Sequence, residues 1–435
     1  MWISDADATA AGRCLAQIAE KSNDIVDLFL EIRREIEFRG EEEGPGVVER
    51  SEQGFAVRLV REGRTYLSAR DAFEPGALRS ALRDVTRVVP SSAYRVPELS
   101  AARPLAQRDD DCRSFSARVR QALREMHAAF DFRSRVASHG RRVQIVGRRL
   151  VPAAQSEDFF SVTCSTPWGA FGTLTAVLDD ACARFVARAL LDRFRARDAE
   201  AVSGVSGAIV LAPAATAVLL HEAVAHALEA DTLVMSGRPD AALGVKLGSD
   251  LLDILDSPSE LPTGLRRETD DEGIPVLRRW LLQKGCVDQV LADRFHAGSS
   301  RQLLPGAGRR AGRHLAPAPR SSHLELLPGE QRLEELLEGA EGLYFSEISS
   351  GRLNPLTGEL VVEFPHGRRF RSGNLAERVG RCALRGKASR ILSAVEAVGD
   401  NSVFAGAGWC AKGGHRLPVW ATCPHLRLAG LEVEV

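Results

Sequence analysis

The segment AVLLHEAVAHALEA, residues 217–230, limits what this chain can fold into more than any other stretch. Its residues form helix readily and are apolar on nearly every side, so the helix must be buried inside a larger body. It nevertheless carries His221, Glu222 and His226. A histidine–glutamate pair in such surroundings is costly unless it is paired or coordinated. The familiar zinc-peptidase helix, H-E-x-x-H, sets two histidines four residues apart on one face, with the glutamate as general base. Here the spacing is five. In a regular α-helix five residues turn about 140° past a full revolution, so the two imidazoles diverge. One extra residue in the turn, a π-bulge, brings i and i+5 back to one face, and such bulges occur mostly at functional sites. Spacing alone leaves two readings: a bulged turn that holds a metal, or a buried helix whose histidines are only hydrogen-bonded.

Nothing in the bulk composition points to a special class. The chain has 435 residues, 44% of them hydrophobic and 26% charged, which is enough for two or three ordinary globular domains. A net charge of −1 gives no reason to expect nucleic acid or membrane as the main partner. Arginine greatly outnumbers lysine, which reads as a compositional bias of the genome rather than a binding device. No apolar run reaches the eighteen or so residues of a membrane span. The N-terminus, MWISDADATAAGRCLAQ, lacks the basic start and apolar run of a signal peptide. Eight cysteines without a repeated short spacing fit a reducing compartment, so the expected address is the cytoplasm.

Periodicity predicts an α+β chain in two parts. Over 1–200, a helix near 6–22 precedes a charged strand, IVDLFLEIRREIEFRG. A hairpin follows over 54–70 around the turn REGR, then a helix over 74–89. A linker is expected near 97–110, a helix over 113–129, more strands, and an amphipathic helix over 179–196. This half reads as an α/β domain of antiparallel strands and helices. The second part, 201–435, reads as a strand-rich, barrel-like domain that carries the H-E-x-x-x-H helix, with further helices at 329–340 and around 375–397. The Gly-, Pro- and Arg-rich stretch 299–322 has the composition of a solvated or mobile loop.

A catalytic zinc usually takes three protein ligands and leaves one position open for water. Cys410 stands in VFAGAGWCAKGGHRLPVW, where flanking glycines let the backbone turn tightly and bring the thiol against another element. Spacing does not choose it over Cys423, His415 or His425.

The chain resembles the TldD/PmbA family of metallopeptidases, and within it the metal-bearing TldD-like branch. LLHEAVAHALEAD (219–231) is similar to the family's H-E-A-V-G-H-G-L-E-G-D, and GAGWCAKGGHRLPVWATCPHLRL near the C-terminus supplies its late G-x-C-x-K. RRETDDEGIPVLRRWLLQKGCV (266–287) and the N-terminal strands extend the likeness from about residue 25 to the end. The resemblance implies zinc (Zn2+) held by His221, His226 and Cys410, with Glu222 activating the bound water. Glu229 and Asp231 are then candidates to orient an imidazole. It also implies hydrolysis of short, unfolded or ribosomally made modified peptides, bound in extended form, by a homodimer or by a heterodimer with a PmbA/TldE-like subunit. The alternative is a non-catalytic partner subunit. Alanines stand at 225, 227 and 230 where the family has glycine, and Trp409 and Ala411 flank the cysteine; these departures bear on substrate range more than on metal binding. On this reading Arg301, Arg309, Arg310, Arg313 and Arg320 are expected to line the entrance to the site and favour acidic or C-terminally charged peptides.

Overall fold

The computed structural model describes residues 5–19, 23–40, 46–71, 73–74, 76–86, 109–147, 152–339, 341–404 and 408–435. Most of the expected linker over 97–110 lies outside them. The chain is α+β and strand-rich.

Six antiparallel strands form the first sheet: β1 (Ile25–Gly40), β2 (Gly46–Arg61), β3 (Arg64–Arg70), β4 (Arg133–Gly147), β5 (Ala153–Thr166) and β6 (Gly169–Thr175). Their order across it is β3-β2-β1-β4-β5-β6. The REGR hairpin forms as the sequence predicts. Glu62 and Gly63 both have positive φ (51° and 74°), the turn whose twist suits a two-residue hairpin. Side chains alternate across the sheet. Leu28, Leu30, Ile32, Ile36 and Phe38 of β1 share one face and pack under four helices: α1 (Asp5–Ile18), α2 (Ala77–Thr86), α3 (Asp109–Glu125) and α4 (Asp180–Ala196).

The other face of β1 carries Asp27, Phe29 and Glu31, all fully buried. It is covered by the chain from 266 to 313. Arg58 donates to Asp27 at 3.0 Å and to Glu272 at 2.6 Å. Arg141 donates to Glu31 at 2.9 Å and to Asp271 at 3.2 Å. Arg310 reaches Asp27 and lies 4.2 Å from the centre of the Phe29 ring. The solvated loop expected over 299–322 is therefore corrected: Arg309, Arg310, Arg313 and Arg320 are buried. Their charge met carboxylates from other segments, which local composition does not show.

The second half contains a curled nine-stranded sheet, a half-barrel. At its centre β7 (Val205–Leu211) lies between Leu426–Glu434 and Glu341–Phe345, and Ser350–Leu353 forms one edge. A second, seven-stranded sheet pairs His323–Leu326 in parallel with His415–Cys423, which also pairs with Gly408–Lys412. A large apolar cluster joins the two sheets around the motif helix, with Leu219, Leu220, Ala223, Val224 and Ala225 at or near zero exposure. The helix expected around 375–397 is corrected to strands Asn374–Val379 and Cys382–Lys387, one short helix, Ala388–Ser393, and strand Val395–Val398. Sheet pairing on both sides of these residues overrode their weak helical period. The helix expected over 329–340 shortens to Leu333–Leu337. Among the described residues, no helix is long and apolar enough to cross a membrane.

Candidate metal centre

The motif helix opens at Pro213, whose fixed φ and missing N–H suit a first turn. As α5 (Pro213–Leu220) it is regular. His221–Ala225 then form a π-turn, in which the His226 backbone N–H donates to the His221 carbonyl five residues back. This is the bulge the spacing calls for. The two imidazoles come to one side, with ring centres 4.5 Å apart.

Cys410 reaches them from strand Gly408–Lys412. Its Sγ is 3.5 Å from His226 Nε2, and the donor atoms of His221, His226 and Cys410 all lie within 4.8 Å of one another. Cys423, His415 and His425 do not join this group. Cys423 is buried in strand His415–Cys423, His415 Nδ1 accepts from the Ala311 backbone N–H at 3.1 Å, and His425 lies beside Tyr344. The three donors fit a metal for a reason independent of motif. His221 Nε2 is buried with no hydrogen-bond partner among the described residues. An orphaned nitrogen beside a thiol and a second imidazole is explained if an ion belongs there. Two imidazoles and a sulfur are donors that zinc accepts.

The surroundings fix orientation. His226 Nδ1 pairs with Glu229 Oε2 at 3.0 Å, which turns Nε2 toward Cys410. Glu229 is fully buried and also meets Arg320 and Lys412. Burial pushes its pKa up, but His226, Arg320 and Lys412 outweigh that and hold it below the usual carboxylate range. Burial likewise lowers His226, but Glu229 and Cys410 lift it to about 10. His221, desolvated and beside His226, is pushed down to about 3. Of the two carboxylates singled out to orient an imidazole, Glu229 does so. Asp231 instead meets Arg320 at 2.7 Å and Lys412 at 3.4 Å. Lys412 and Arg320 were given no such part from sequence. Lys412 lies two residues beyond Cys410 on one strand, hence on the same face, and that period was the available signal.

Glu222 lines a cavity of about 660 Å³ together with His221, His226, Cys410 and Trp409. Burial raises its pKa above the ordinary value, with the Leu353 backbone N–H, a hydrogen-bond donor to its carboxylate, pulling the other way. Gly351 lies against it: a Cβ there would stand 2.5 Å from Glu222 Cγ. The strand Ser350–Leu353 thus seats this carboxylate by close approach and by a main-chain hydrogen bond. The expectation that Arg301, Arg309, Arg310, Arg313 and Arg320 line the entrance fails. Arg301 is exposed but does not line the cavity, and the other four are buried in ion pairs or, for Arg309, against the Ser321 and Pro418 carbonyls.

Comparison with known proteins bears on family and fold. The family model for the PmbA/TldA metallopeptidase C-terminal domain matches residues 205–435. A metalloprotease TldD homolog of Buchnera aphidicola is 27% identical over 241 residues, 54% of this chain and 49% of its own. A metalloprotease of Methanothermobacter thermautotrophicus is 32% identical over 228 residues, covering 51% and 48%. A zinc metalloprotease TldD homolog of Saccharolobus solfataricus is 24% identical over 226 residues, covering 52% and 51%. The chain spans about half the length of the curated relatives it matches. Among solved structures, TldE from Thermococcus kodakarensis superposes with a TM-score of 0.74 at 15% identity, over 98% of this chain and all of that one. A Thermotoga maritima protein gives 0.74 at 16% identity, over 96% and 98%. At such identity the likeness is one of fold.

Proposed function

This chain belongs to the PmbA/TldD metallopeptidase family, and we propose that it is a zinc-dependent peptidase acting on short, unfolded or ribosomally made peptides. The observation that carries the reading is the convergence of His221, His226 and Cys410, with an unpartnered buried nitrogen among them, beside the cavity that Glu222 lines. These three residues would hold the zinc. The chemistry a bound zinc supplies is polarisation of the scissile carbonyl and a water whose pKa is lowered toward ~7.

The protein's own groups do the rest. Glu222 takes the proton of the attacking water and passes it to the leaving amine. Burial raises its pKa above the ordinary carboxylate value, which favours holding the proton in transit. Glu229 fixes the His226 ring, and Lys412 and Arg320 keep Glu229 ionised.

Two strand edges support an extended substrate. Ser350–Leu353 and Gly408–Lys412 each pair on one side only among the described strands, and both line the cavity. A peptide laid along either edge gains main-chain hydrogen bonds with little demand on its sequence. An unselective site of this kind is safest enclosed by a second subunit. A homodimer or a heterodimer with a TldE-like partner, in the cytoplasm, fits that need.

The test is metal content and turnover together. Purified protein should hold about one zinc per chain, and His221→Ala and Cys410→Ser should lose it. Full zinc in both variants overturns the ligand set. The alternative, a non-catalytic partner subunit, is separated by Glu222→Gln: a partner works unchanged, whereas a peptidase loses its turnover with its metal in place.

A further inference from the structure

A second cavity, of about 350 Å³, lies behind the strand that carries Cys410. Trp409 lines both it and the larger one. The reason is the alternation of a strand. Cys410 and Lys412 face His226 and Glu229, so Trp409 and Ala411 face the other way. Arg416 is opposite Ala411 in the antiparallel register and therefore shares that second face. Its guanidinium lies 4.0 Å from the centre of the Trp409 ring.

Five arginines line this cavity, and four of them are spoken for. Arg33 and Arg141 pair with Glu31, Arg34 with Glu49, and Arg50 with Glu35. Each lining carboxylate also lies near a guanidinium: Glu35 2.7 Å from Arg50, Glu52 3.7 Å from Arg313, and Glu157 3.8 Å from Arg267 and 3.9 Å from Arg309. Arg416 has no carboxylate among the described residues, and it is exposed. His139, stacked on Phe159 in the same wall, is held neutral near neutral pH. Burial and the Arg416 charge push its pKa down to about 4. Of the five guanidiniums, Arg416 is the one whose fork of donors meets no carboxylate among the described residues.

We propose that this cavity is a specificity subsite in which Arg416, over the Trp409 ring, binds a carboxylate of the peptide substrate. The inference rests on the reading of the site as a peptidase and adds a substrate class to it. A peptide along the free edge of Gly408–Lys412 turns alternate side chains to the two faces of that strand. Those on the Trp409 face reach Arg416, while the backbone stays beside the metal centre. A guanidinium resting over an aromatic ring loses less freedom when it takes up a carboxylate in a two-pronged bond.

The experiment measures binding, with the full chain carrying Glu222→Gln so that peptides stay intact. Four labelled peptides of one neutral sequence are compared by fluorescence anisotropy: with Glu or Gln at one interior position, and with a free or amidated C-terminus. Carboxylate-bearing peptides should bind about fivefold tighter than the neutral one, the size of an exposed charge pair. Adding Arg416→Gln should erase that difference, and Arg416→Lys should keep part of it. The pair of peptides that differs shows whether the carboxylate is a side chain or a chain end. Equal binding of all four, or a preference that survives Arg416→Gln, overturns the subsite. If the preference and its loss are seen but the unsubstituted protein cuts no peptide, the subsite stands and the peptidase reading falls.

Discussion

Two buried polar clusters stand side by side in this molecule, and they are finished differently. Between β1 and the 266–313 segment, Asp27, Glu31, Asp271 and Glu272 each meet at least one guanidinium. Asp271 and Glu272 also accept from the backbone N–H groups of Arg310 and Arg294. Arg310, whose Nε and one terminal nitrogen have no partner, lies on Phe29 instead. Around the motif helix, His221 Nε2 and Glu229 Oε1 have no hydrogen-bond partner among the described residues. The first cluster pairs each of these carboxylates with a guanidinium. The second leaves an imidazole nitrogen uncompensated at the wall of a large cavity. Burying polar groups is tolerable when they are satisfied, and an unsatisfied set beside a cavity is where a ligand belongs.

The contrast is open to direct attack. The largest effect is expected at the metal centre: Glu222→Gln should lower kcat by about 10²–10⁴-fold in a peptide-cleavage assay, with zinc content and unfolding midpoint unchanged. Next comes the structural cluster, where Asp27→Ala leaves Arg310 without its carboxylate in the interior and Arg58 with Glu272 alone. Urea unfolding should show a loss of about 3–5 kcal/mol, the usual result of breaking one side of a buried pair. Acid should act on the same cluster more gently. Burial raises the carboxylates of Asp27, Glu31 and Asp271, but their arginines outweigh it and leave all three below their ordinary values. Their stabilisation is therefore complete above the unfolded values of ~4 and is lost as pH falls below that. Unfolding midpoints measured from pH 7 down to pH 3 should drop in that lower range, and drop less in Asp27→Asn. The smallest effect belongs to His221→Leu in metal-free protein, where removing an orphaned nitrogen should change stability by no more than about 1 kcal/mol. A loss there as large as that of Asp27→Ala would mean that both clusters are structural.

The motif carried most of the site. A five-residue histidine spacing in an all-apolar helix demands a π-turn if both rings are to serve one centre, and His221–Ala225 is such a turn. Glu222 was legible from its place beside His221, and Cys410 only through a family resemblance, because spacing gave Cys423, His415 and His425 equal standing. The arginines of 299–322 were misread for a physical reason. A guanidinium is solvated or buried according to whether a carboxylate comes to meet it. Those partners lie in β1, at Asp71 and Glu157, and around Glu229, as many as 283 residues away in sequence for Arg310 and Asp27.

The same division runs through the whole chain. Period-two alternation and turn chemistry are local, so β1, the Glu62–Gly63 hairpin and the choice of faces on each strand follow from neighbouring residues alone. Sheet pairing is not local. Which strand stays an edge beside Glu222, which loop lies on Asp27 and Glu31, and which of Arg416 and its neighbours keeps a free charge were decided by contacts between distant segments. The strength of such contacts depends on burial and on the arrival of a partner. Neither quantity exists until the tertiary fold has closed.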